Sequence, residues 1–171
     1  MEDISQKLNS IVNNFYQKYQ ELNDEIISKR FSTDGWTLKE TIGHLIDSTS
    51  NNHQRFVRLQ IIDELIFPDY SQGNSRWLEI AWYNELYFPD IILLWKQYNV
   101  LIANIIKEVD RNKLNNYWKL NGDRITLKYM MIDYLGHTKD HLKQFEEVYE
   151  EIMDWRTTLF ALIKDCGMIF T

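Results

Sequence analysis

Four long stretches of this chain place their apolar side chains at three- and four-residue steps, and that spacing constrains the fold more than any other feature. Ile4, Leu8, Ile11, Val12, Phe15, Tyr19, Leu22 and Ile26 share one face of a helix, because 3.6 residues per turn brings such positions to the same side. The spacing predicts a first helix over 4–27 that stops near Arg30, ahead of the turn cluster Ser32-Thr33-Asp34-Gly35. Thr37 and Glu40 have the separation of a capping box, in which hydroxyl and carboxylate each accept a free backbone N–H. A second helix is therefore expected from Thr37 to about Ile66. Pro89 suits the first turn of a third helix, where its missing N–H removes no bond, and Ile91, Leu94, Trp95, Tyr98, Ile102, Ile105 and Val109 carry that stripe onward. Leu127, Met130, Met131, Tyr134, Leu135, Thr138, Leu142, Phe145 and Val148 predict a fourth, from Thr126 to about Glu150.

The connections are short of turn formers. Phe67 to Asn74 breaks the second helix, and Trp77 to Tyr83 reads as either a short helix or an ordered loop. Asn121-Gly122, flanked by Trp118-Lys119-Leu120 and Arg124-Ile125-Thr126, is a tight-turn signal that closes a two-stranded ribbon as a connector. Six glycines and two prolines in 171 residues are too few for a many-stranded sandwich or barrel, while 44% apolar residues suffice for a packed core. The expectation is one all-α domain, a four-helix bundle over 1–154. Residues 155–171, with Leu159, Phe160, Leu162 and Ile163, form a C-terminal extension that packs on the bundle or on a second chain.

Charge and motif content exclude several functions. A formal net charge of -6 and the absence of a basic block argue against nucleic acid as a partner. No run of eighteen apolar residues is present to span a membrane, and the N-terminal segment lacks the basic-then-apolar order of a signal peptide. The single cysteine, Cys166, excludes an internal disulfide and fits a cytoplasmic protein. The G-x-S-x-G, P-loop and G-x-G-x-x-G patterns of nucleophilic and nucleotide sites are missing.

Histidines carry the remaining chemistry. His137 and His141 stand four apart on the fourth helix, one above the other. Such a pair presents two imidazole nitrogens to one ion with no backbone rearrangement, although ordinary helix packing also produces it. His44 lies about two turns into the second helix beside Leu45 and Ile46. It can point inward as a third ligand, or as a core histidine with one hydrogen-bond partner. His53, nine residues on at about 100° each, falls on the opposite side and is expected at the surface. Ser48, Asn51 and Arg55 follow His44 at steps of four, three and four and share its face. If that face looks into a cavity, they line its wall, and Arg55 can grip a carboxylate or phosphate by two prongs; otherwise they form a solvated stripe. Asp133 and Gln144 share the stripe of His137 and His141, where Asp133 either orients a ligand imidazole or is a surface charge.

Two segments, Trp36-Thr37-Leu38-Lys39-Glu40-Thr41-Ile42-Gly43-His44-Leu45-Ile46-Asp47 and Asp133-Tyr134-Leu135-Gly136-His137-Thr138-Lys139-Asp140-His141-Leu142, resemble the DinB-like (YfiT-like) superfamily. The intervening Asn51-Asn52-His53-Gln54-Arg55-Phe56 is similar to the same family, and the resemblance covers roughly residues 1–150. It implies a four-helix bundle, often a homodimer, in which His44, His137 and His141 hold one divalent ion, nickel, zinc or similar, with open positions for water. It further implies a metal-dependent hydrolase or a thiol-dependent transferase, the ion activating water or a low-molecular-weight thiol against a small molecule. The competing reading is a non-enzymatic, stress-related bundle that binds metal or dimerises. A structural zinc is normally closed by a fourth protein ligand, so coordination number separates the two.

Overall fold

The computed structural model describes residues 1–30, 35–70 and 75–165, with side chains to 158. Ser32 to Asp34 of the expected turn, Ser71 to Asn74 of the expected break, Cys166, and the side chains of Leu159, Phe160, Leu162 and Ile163 lie outside the described residues. Four long helices carry the architecture: α1 (Glu2–Tyr19), α3 (Leu38–Arg58), α5 (Phe88–Lys107) and α6 (Leu127–Asp165). Two short ones, α2 (Asp24–Ile27) and α4 (Ser75–Ala81), and the strands β1 (Glu64–Leu65), β2 (Tyr117–Leu120) and β3 (Asp123–Thr126) fill the connections. In the bundle α1 and α3 each pack against both α5 and α6. Aromatic side chains interlock at its centre: Phe15 meets Trp95 and Phe145 edge-on, with ring centroids 5.5 Å and 4.9 Å apart. No helix among the described residues is long and apolar enough to cross a membrane.

The first helix ends earlier than its apolar spacing predicts. Asn23 accepts the Glu25 N–H at 2.7 Å and caps a new turn, so α1 stops at Tyr19 and α2 starts afresh. Ile26 and Ile27 are still buried; the periodicity reported the burial and not the break. The second helix begins as expected: Thr37 Oγ1 accepts the Glu40 N–H at 3.0 Å and Glu40 Oε2 accepts the Thr37 N–H at 2.8 Å. It ends at Arg58 and not near Ile66. Asn116 Nδ2 donates to the carbonyls of Leu59 and Ile62 at 2.6 and 3.2 Å, and the Tyr117 N–H donates to the Asp63 carbonyl at 3.0 Å. A partner more than fifty residues away thus satisfies the helix end and draws the chain into an extended strand.

That strand corrects a second expectation. Asn121 (φ 52°) and Gly122 (φ 96°) close β2 and β3 by the left-handed turn their sequence favours. The ribbon is not two-stranded, however, because β1 pairs in parallel with β2, Glu64 opposite Tyr117 and Leu65 opposite Trp118. Residues 75–81 resolve to a helix. In α5, Pro89 sits in the first turn as expected, but Leu94 is exposed and the buried stripe runs through Ile91, Ile92, Trp95, Asn99, Ile102, Ala103 and Ile106. Asn99 is buried there because its amide is fully engaged, donating to the Trp95 carbonyl at 2.9 Å and accepting from the Tyr134 hydroxyl at 2.7 Å. Helix α6 continues without interruption through 155–165. The Trp155 ring on that stretch lies under the Lys29 ammonium, 3.2 Å from its centroid.

Candidate metal centre

The capping box at Thr37 sets the start of α3, and with it the angle at which His44 enters the bundle. His44 is 1% exposed, facing α6, where His137 and His141 stand one turn apart and half-buried. Ring centroids of His44 lie 5.6 Å from those of His137 and 4.6 Å from those of His141, and the two α6 rings are 4.5 Å apart. One ligand nitrogen from each residue lies within 4.8 Å of the other two. No Cys, Asp or Glu joins the three among the described residues.

The protonation chemistry of this cluster is unusual for a packed interior. His44 Nε2, His137 Nε2 and His141 Nδ1 are buried and have no hydrogen-bond partner, although buried polar atoms are almost always paired. Burial, reinforced by His141 and His137, pushes the His44 imidazole down to about 3. Burial likewise pushes His137 down to about 4, with His141 adding to the effect and the Asp140 carboxylate opposing it. His141 is lowered by burial against a hydrogen bond with the Gln144 side chain and the charge of Asp140. All three rings are therefore neutral at pH 7, and neutral imidazoles are the form that ligates a metal. A divalent cation can accept the lone pairs of three such nitrogens at once. At ~2.1 Å from each nitrogen it requires them ~3.4 Å apart in a tetrahedral arrangement, a contraction within reach of side-chain torsions. The donor set fits the ion.

The surroundings hold the rings in place. The Tyr70 hydroxyl contacts His44 Nδ1 at 3.0 Å and donates to the His44 carbonyl at 3.4 Å. With the hydroxyl proton directed to the carbonyl, its oxygen accepts from Nδ1–H, leaving the lone pair on Nε2, the buried nitrogen without a hydrogen-bond partner. Trp36 covers the cluster, its ring centroid 4.8 Å from His44 and 6.4 Å from His141, stacked on the latter. One turn beyond His44, Asp47 is buried; its Oδ1 accepts the Tyr83 hydroxyl at 2.8 Å, and its Oδ2 has no partner. Burial raises the Asp47 carboxyl above the ordinary aspartate value, partly offset by that hydrogen bond. Trp36 and Tyr83 also line a cavity of about 620 Å³, with Glu40, Leu78 and Trp82 among its walls, a size suited to a small molecule.

The other expected site residues are distributed less compactly. Ser48 is fully buried and meets Asn52 Nδ2 at 3.5 Å. Asn51 is half-buried, its amide donating to the Asp47 carbonyl of its own helix at 2.9 Å. Arg55 is buried, but eleven residues along α3 correspond to about 16 Å of axis, and its neighbours are Trp118 and Asp69, not the histidines. Asp133 lies on the exposed side of α6, and the carboxylate that acts on His137 and His141 is that of Asp140. His53 corrects its expected surface position, being half-buried with Nδ1 3.2 Å from the Tyr98 hydroxyl. Sequence reasoning missed Asp47, Tyr70 and Tyr83. Asp47 had a usable signal, three residues after His44 and hence on nearly the same face; the tyrosines, on irregular connections, had none.

No protein-family model matches the chain, and no curated protein matches it. Among solved structures it is similar to YfiT from Bacillus subtilis, described as "a probable metal-dependent hydrolase with an unusual four-helix bundle topology". The two share 16% identity, with 88% of this chain and 86% of that chain covered at a TM-score of 0.77. The chain thus has the four-helix-bundle fold of YfiT.

Proposed function

We propose that this protein is a metal-dependent hydrolase in which His44 Nε2, His137 Nε2 and His141 Nδ1 hold one divalent transition ion. The observation that carries this reading is the convergence of three histidines, one ring nitrogen of each within 4.8 Å of the others, in a cluster that leaves a buried nitrogen on every ring without a hydrogen-bond partner. The likeness to YfiT supports it. Such an ion, when bound, makes a water or thiol ligand acidic enough to supply a nucleophile at neutral pH. Three nitrogen ligands, with no Cys, Asp or Glu joining them among the described residues, leave an open position, the pattern of a catalytic rather than a structural site. That pattern disfavours the non-enzymatic bundle.

The chain's own groups have distinct tasks in this scheme. Tyr70 fixes the tautomer of His44. Trp36 shields the cluster from water and, with Tyr83, forms the wall against which a small substrate lies. Asp47, anchored by Tyr83 with Oδ2 free, is the group able to take up a proton beside the histidines. Zinc and nickel both suit imidazole ligands, and a low-molecular-weight thiol is the alternative nucleophile on the same site. The family resemblance adds a homodimer to this reading, and the single cysteine a cytoplasmic setting.

Elemental analysis of untagged protein should find about one equivalent of metal, falling below about a tenth in His141→Ala. The loaded protein should hydrolyse members of an ester and amide panel, with product mass distinguishing water from thiol addition. Full occupancy with neither hydrolysis nor thiol transfer would sink the enzymatic reading, and metal content unchanged in His141→Ala would sink the site itself.

A further inference from the structure

Arg55 is the buried charge that the histidine site leaves unexplained. It is 4% exposed, and both Nε and Nη2 are hidden from water without a hydrogen-bond partner. These two nitrogens lie on the same edge of the guanidinium, the edge that grips a carboxylate or phosphate by two parallel N–H bonds. The plane of the group is held: its carbon sits 3.8 Å from the centroid of the Trp118 ring and 6.0 Å from that of Phe67. The neighbouring counter-charge, Asp69, has Oδ1 3.6 Å from Nη2, an ion pair beyond hydrogen-bonding distance, and its side chain is 44% exposed. A paired Arg–carboxylate fork closes to about 2.7–2.9 Å. Here the fork is built, oriented and dry, while its neighbour stands off toward solvent.

We propose that the Nε/Nη2 edge of Arg55 is the receptor of a second binding site, for a single oxyanion group, carboxylate or phosphate, of a small molecule. The incoming anion displaces the Asp69 carboxylate, which returns to water, and leaves the charge of the buried site balanced. Trp118 forms the floor beneath the guanidinium, and Phe67 flanks it. The site stands apart from the three histidines and does not depend on their holding a metal.

The test titrates the full-length protein with inorganic phosphate and, separately, acetate by calorimetry, with chelator present so that no metal contributes. Saturable binding is expected for at least one anion, and the two titrations distinguish phosphate from carboxylate. Asp69→Asn removes the competing charge and leaves the fork intact, so affinity should rise about tenfold; Arg55→Lys keeps the charge and removes the fork, so affinity should fall about tenfold or more. Should Arg55→Lys fail to fold by circular dichroism, the Asp69→Asn arm decides alone. Absence of saturable binding in both wild type and Asp69→Asn overturns the proposal, as does an affinity unchanged by Asp69→Asn. The second result would mean that the anion binds elsewhere than at the edge of Arg55 that Asp69 faces.

Discussion

Substituting Gly43 by Ala tests how the wall of the candidate site is assembled. A Cβ at Gly43 would lie 2.2, 2.4 and 2.7 Å from Cδ2, Cγ and Cε2 of Tyr83, well inside van der Waals contact. Two of these atoms belong to the near side of the ring, so rotation of a flexible end gives no relief, and Tyr83 must leave. Its departure breaks the 2.8 Å bond to Asp47 Oδ1 and leaves a buried carboxyl with neither oxygen paired. Overpacking costs about 1–3 kcal/mol, and losing a hydrogen bond to a charged group costs about 1.5–3 kcal/mol. Against this, Ala in place of Gly within a helix contributes about 1 kcal/mol of stability. The sum is a net loss of about 1.5–5 kcal/mol, whose middle lowers the melting temperature of a chain of this size by roughly 10 °C. Urea denaturation of Gly43→Ala, Tyr83→Phe and the double variant separates the parts, since Tyr83→Phe removes the hydrogen bond without a clash. If Gly43→Ala proves as stable as wild type, or more stable by the helix-propensity term, then Tyr83 does not occupy the space over Gly43 and the described wall is wrong.

Three further outcomes follow from the same geometry. Tyr70→Phe removes the group that orients His44 and should weaken metal affinity about 10–100-fold with the fold unchanged; chelator competition measures it, and an unaltered affinity would remove Tyr70 from the site. In chelated protein, burial holds His44 and His137 down to about 3 and about 4. The unfolded chain therefore binds protons that the folded one refuses, so their contribution is complete above about pH 6.5 and is lost on acidification by about 1.4 kcal/mol per pH unit per histidine. Asp47, raised by burial, has the opposite slope, so Asp47→Asn should steepen the loss; urea midpoints from pH 7 to 4.5 that stay level in both proteins would contradict this. Lys39 is 2% exposed, with Nζ 2.9 Å from Asp24 Oδ1 and donating to the carbonyls of Asn84 and Leu86 at 3.1 and 3.0 Å. Lys39→Met should cost about 2–4 kcal/mol by leaving both carbonyls unpaired; a shift in urea midpoint below a quarter of that would show that water reaches them.

The parts of this protein that were legible in the chain are those decided within a turn or two of helix. The capping box of Thr37 and Glu40, the Asn121-Gly122 turn and the stacking of His137 over His141 depend on residues two to four apart, whose geometry any α-helix or tight turn dictates. The same periodicity allowed His44 to face inward, and packing decided that it does. The end of α3 did not follow from it, because Ile61 to Leu65 are as compatible with helix as with strand until Asn116 and Tyr117, more than fifty residues on, supply the hydrogen bonds that choose. Nor did Tyr70 on His44, Tyr83 over Gly43, or Arg55 over Trp118, each a meeting of distant segments. Local order along the chain thus set the three histidine positions on their helices. Their convergence, the protons they carry and the walls around them arise only when packing removes water and brings α3, α6 and the connecting segments into contact.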